Sequence, residues 1–139
     1  MADLEVLRLG VQALFPSTIN PLFVRVPDKS VPPWTAISIA LPSPSTRAMN
    51  TRILSKRVLV RCRVVAANDE AVWQLGQMLT DAVEGVRVVA EGWAPAPLQQ
   101  LNDNPMPYED TDMTLAVTNA HPVVLPFDFD FYATTKETP

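Results

Sequence analysis

Residues 57–65 read "RVLVRCRVV", and this alternation constrains the fold more than any other stretch. Val58, Val60, Cys62 and Val64 share one side of an extended chain, while Arg57, Leu59, Arg61 and Arg63 share the other. Such a segment is a strand with one face in a core and the other carrying cations. Next comes "NDEAVWQLGQMLTDAVEG", which places Val72, Leu75, Leu79 and Ala82 on one helical stripe. Asn68 suits the N-cap, Asp69 and Glu70 suit the positive end of the helix dipole, and Gly85 suits the C-terminal cap. "VRVVAEGW", residues 86–93, reads as a further strand, which makes a strand–helix–strand crossover.

The flanks supply the remaining elements. Leu4, Leu7, Val11 and Leu14 recur at helical spacing behind Asp3, with Pro16 beyond, and predict a helix over 3–15. "LFVRV" (22–26), "WTAISIAL" (34–41) and "MTLAVTNA" (113–120) have strand character between proline-rich joins. Residues 42–56 and 94–112 read as long polar loops, the first basic and the second acidic. In "PFDFDFY", Phe127, Phe129 and Phe131 alternate with Asp128 and Asp130, inside an extended tail over 122–139. That tail either pairs within its own sheet or adds a strand to a neighbouring subunit; Pro122 and Pro126, which set it apart, favour the second. The expected architecture is a single α+β domain over 1–139. Its one mixed, mainly antiparallel sheet has two helices on one face, in the order α-β-β-β-α-β-β with the extended C-terminal segment.

Charge is sorted along the chain. Lys29, Arg47, Arg52, Lys56, Arg57, Arg61 and Arg63 fall in a stretch without acids, from 29 to 68. Glu91, Asp103, Glu109, Asp110, Asp112, Asp128 and Asp130 fall in one without lysine or arginine, from 88 to 135. The two meet either within one fold or between copies of it.

Other chemistries find little support. The single histidine, His121, precedes a proline and has no metal-ligand companion at suitable spacing. "YEDTD" lacks the glycine and ligand spacing of a calcium loop, so no metal is expected. Four glycines, at 10, 76, 85 and 92, cannot build a glycine-rich phosphate cradle, and no cofactor or enzymatic activity is expected. Cys62 reads as a small buried hydrophobe. The basic 47–63 segment admits a nucleic-acid-associated module. However, the absence of aromatics from 35 to 72 and the net charge of −4 weigh against it. No run of 18 apolar residues is present, so no membrane span is expected, and the acidic start "MADLEVLRLG" does not read as an export signal.

The order and character of these elements resemble the tail terminator, or tail completion, proteins of long-tailed bacteriophages. The resemblance runs from Asp3 to about Ala120: the helix "LEVLRLGVQALF", short strands with proline-rich joins, the block "RVLVRCRVVAANDEAVWQLGQMLTDAVEGVRVV", the "NDNPMPYEDTD" connection and "TLAVTNA". The phage head–tail connector and neck proteins share size and style. What the resemblance implies is a homo-oligomeric ring, a hexamer in that family, at the tail–head junction of a virion assembled in the host cytoplasm. Such a ring caps the tail tube, stops its polymerisation and joins head–tail connector proteins, with DNA at most passing through the lumen. A head-to-tail ring needs two complementary patches per subunit. The expected interface pairs Arg47, Arg52, Arg57, Arg61 and Arg63 with a neighbour's Glu109, Asp110 and Asp112, or with its Asp128 and Asp130, helped by Phe127 and Phe129. Trp34, Trp73 and Trp93 are candidate apolar anchors.

Overall fold

The computed structural model describes residues 3–23, 33–47, 53–112 and 121–135; for 43–47 and 53–54 it describes the backbone alone. Its framework is a pair of long antiparallel strands, β4 (Ile53–Ala66) and β8 (Val123–Thr135). They stay in register from Ser55↔Thr134 to Ala66↔Val123. β2 (Trp34–Ile39) flanks β4 antiparallel, and the two-residue β1 (Pro21–Leu22) extends β2 in parallel. β3 (Ser43–Arg47) folds back on the start of β4. Along the far side of β8 lie β5 (Trp93–Pro95), β6 (Gln99–Gln100) and β7 (Tyr108–Glu109). The sheet is therefore mixed and mainly antiparallel, and the α+β class holds.

Two helices cover one face of it. In α1 (Leu4–Gln12) the Asp3 carboxylate accepts from the Glu5 N–H, and Leu7 and Val11 face the core. In α2 (Asp69–Val83) the Asn68 side chain accepts from the Ala71 N–H; Val72, Leu75, Leu79 and Val83 are buried. Gly85 follows in the left-handed region, at φ 74°. That geometry suits glycine and ends the helix as the sequence predicts. Beneath the helices, Val58, Val60, Cys62 and Val64 of β4 stand beside Phe131, Phe129, Phe127 and Leu125 of β8. These side chains and the two helical stripes form one buried cluster. Its apolar burial is the main favourable term holding helices to sheet.

Four expectations need correction. Residues 42–56 are not a loop: Ser43–Arg47 and Ile53–Lys56 are paired strands. Pro44 and the polar "SPSTR" hide this, because an edge strand with no apolar alternation leaves no periodic trace. Residues 86–90 do not join the sheet, since β8 already occupies the place beside β4. Val88 and Ala90 instead turn into the core, and Gly10 of α1 lies against residues 88 and 89. The connection 94–112 is only partly irregular. It holds β6 and β7, and between them the Asn102 side chain accepts from the Asp128 N–H and donates to the Pro126 carbonyl. These contacts cover an edge of β8 that would otherwise be open to pairing.

The fourth concerns 122–139. Val123–Thr135 is no extended tail reaching a neighbour but a central strand of its own sheet. Phe129 is wholly buried and Phe127 is 5% exposed, because their strand period matches the inner face of β4. Of the expected strand over 22–26, Leu22 pairs in β1 and Phe23 does not, while 24–26, like the expected strand over 113–120, lies outside the described residues.

Candidate assembly surfaces

On the outer face of the sheet, register sets the neighbours. Trp34, Val65 and Val124 stand side by side as a small apolar cluster, with Leu22 and Ala36 packed on it. The next rung holds Ala36, Arg63 and Pro126, and the one after it Ser38, Arg61 and Asp128. Farther along, Leu59 lies beside Asp130, and Arg57 beside Tyr132. Of the three arginines of this strand, Arg57 reaches Asp130 and Arg61 stands beside Asp128, whereas Arg63 stands between Ala36 and Pro126.

Only one close ion pair results among the described outer-face residues. Arg57 Nε donates to Asp130 Oδ2 at 2.8 Å, with Asp130 buried and the arginine partly exposed. The hydrogen bond to that carboxylate holds the Arg57 guanidinium above its ordinary pKa. Asp130 is accordingly an internal partner and not a free interface acid, and Phe127 and Phe129 are core. Arg63 Nη1 donates to the Tyr108 hydroxyl at 3.0 Å. Arg61 is exposed and makes no ion pair among the described residues. Glu109 and Asp112 are exposed, and Asp110 is half-buried in a turn where its carboxylate accepts from the Asp112 N–H. Arg47 ends β3, its side chain outside the description, and Arg52 lies outside the described residues altogether.

On the helical side, one of the three candidate tryptophan anchors stays open to solvent. Trp73 is 68% exposed, whereas Trp34 and Trp93 are each 2% exposed. Trp93 is fixed by its indole N–H donating to the Asp3 carbonyl. Trp73, Gly76, Gln77 and Thr80 form one wall of an open groove of about 400 Å³. Asn104 and Pro105 form the other, and Leu125 and Phe127 the floor. The groove exists because Gly76 brings α2 close to the sheet: a Cβ there would lie 2.9 Å from Leu125 and 3.0 Å from Phe127. Its trace in the sequence is the stripe Trp73, Gly76/Gln77, Thr80, in which an aromatic stands among small and polar residues beside the core stripe.

Neither this groove nor a smaller apolar one between α1 and β2 gathers the titratable groups of an active site. Among the described residues no group of three or more His, Cys, Asp or Glu side chains is placed to hold a metal ion. No helix is long and apolar enough to cross a membrane, among the same residues. Burial, with a smaller contribution from the Asp128 charge, pushes the Cys62 thiol up to about 12. A thiol reagent at pH 8 should therefore leave the native protein untouched and react once per chain after unfolding; rapid native labelling would contradict the inward placement of Cys62. Because only the unfolded thiol ionises above its ordinary range near pH ~8.5, this residue lowers stability as pH rises from there towards 12. Compared with known proteins, the chain matches no family model and no curated sequence.

Proposed function

We propose that this protein is a non-enzymatic assembly component, a phage tail terminator whose copies join head to tail in a ring that caps the tail tube and meets the head. One observation supports it above the likeness in element order: a two-layer subunit whose outer sheet face presents exposed Arg61 and Arg63, neither of them in an ion pair among the described residues. An interface of that kind uses two unlike patches, and an exposed cationic sheet face supplies one. The sorting of charge along the sequence no longer argues for association by itself, because Arg57 and Asp130 satisfy each other within one molecule. Exposed ion pairs contribute only about 0.2–1 kcal/mol each, so the arginines set register more than affinity.

The test is a tube-length assay. Tail tube protein polymerised with this protein should give short, capped tubes, and Arg61→Glu with Arg63→Glu should restore unlimited growth while far-UV dichroism stays unchanged. Capping unaffected by the double reversal would remove the arginines from the account, and tubes that ignore the unaltered protein would remove the function.

A further inference from the structure

We infer that the Trp73 groove is the acceptor half of the subunit contact, and that its occupant is a second copy presenting the Arg61–Arg63 face of its sheet. The inference rests on the head-to-tail assembly proposed above and names the surface that the arginines meet. Three observations converge on it.

The first is exposure. A tryptophan 68% open to solvent leaves apolar surface that association would remove from water, and the groove beside it, floored by the buried Leu125 and Phe127, gives a partner side chain a place to enter. Tryptophan is also the side chain most enriched where binding energy concentrates. The second is charge. No charged side chain lines the groove itself, but α2 around it carries exposed Asp69, Glu70 and Asp81 with no lysine or arginine, and exposed Asp103 precedes the opposite wall. A partner for this rim is cationic, and the outer face of β4 offers exposed Arg61 and Arg63 with half-exposed Tyr132 farther along the sheet. The third is placement. The groove opens on the helical side, floored by inward-facing residues of β8, while Arg61 and Arg63 point from the opposite face. One copy can therefore use both surfaces at once, with different neighbours. Such a contact propagates, and it closes into a ring when the rotation per subunit allows.

The experiment is sedimentation velocity on full-length chains over a range of concentrations, with Trp73→Gln, with Arg61→Glu/Arg63→Glu, and with an equal mixture of the two. Each variant alone should associate about tenfold or more weakly than the unaltered protein. The mixture should form a two-chain species and stop there, since one variant keeps a sound sheet face and the other a sound groove. Emission should report the same contact: Trp34 and Trp93 are buried already, so a blue shift on assembly that Trp73→Gln abolishes belongs to the groove. Normal assembly by Trp73→Gln, or a mixture no more associated than its components, would overturn the groove while leaving the ring intact. An unaltered protein that stays single at every concentration would overturn the groove contact, and the ring itself would fall if the tube-length assay also showed no capping.

Discussion

Replacing Phe129 with alanine should destabilise the fold by about 3–5 kcal/mol, the usual cost of emptying a phenylalanine site in a core. Phe129 is wholly buried, stands beside Val60 in the β4–β8 ladder and lies 6.3 Å, centroid to centroid, from the stacked ring of Phe127. Its neighbours belong to the sheet's central pair, which cannot collapse into the void without breaking ladder hydrogen bonds. Since a domain holds only about 5–15 kcal/mol of stability, the variant should approach marginality. Thermal unfolding should move down by roughly 10 °C. Had β8 been a strand donated to a neighbour, the loss would appear in assembly and spare the isolated chain. Melting of the dilute variant at the parent temperature would thus contradict the pairing of β8 in its own sheet.

The second large effect sets two forces against each other at Gly10. Within α1, alanine is favoured over glycine by about 1 kcal/mol, so propensity alone predicts stabilisation. The space says otherwise. A Cβ on Gly10 would sit 2.5 Å from Val88 Cγ1 and 2.7 Å from the Val89 carbonyl oxygen. A side-chain methyl can rotate away, but a backbone oxygen moves only with its segment, and overpacking of this kind costs about 1–3 kcal/mol. Gly10→Ala should therefore lower stability despite its better helix propensity. At Gly76 the nearest atoms belong to the Leu125 and Phe127 side chains, which can give way, so Gly76→Ala should be the milder of the pair. Chemical denaturation of both checks the ranking; a more stable Gly10→Ala would mean that α1 does not lie against residues 88 and 89.

How much of this was legible in the sequence depended on length and period. α2 was readable because five signals agree: the apolar stripe, Asn68, the two acids after it, and Gly85. β4 was readable over 57–65 because valine alternates there, and it was lost over 53–56 where the alternation stops. β5, β6 and β7 span two or three residues each, too few for any period to appear. The alternation of phenylalanine and aspartate marks β8 as a strand, but leaves open pairing within its own sheet or with a neighbour. The prolines favour the second, which the structure does not adopt. Pro126 looked like a break, yet the chain runs straight through it opposite Arg63, and Asn102 completes the hydrogen bonding there. Sequence spacing cannot report which acids a distant strand brings to an arginine, and so Asp130 was offered to a neighbour when it belongs to Arg57. The groove is illegible for a similar reason: Trp73 sits on a recognisable helix, but the opposite wall is made by Asn104 and Pro105, far away in sequence.

What most directly tests the account is the shape of the self-assembled protein. Electron microscopy of the purified chain at high concentration, alone and on the ends of tail tubes, should show annular particles with one subunit repeated around a closed axis. Compact two-fold dimers, or single subunits both in solution and at the tube ends, would contradict head-to-tail closure.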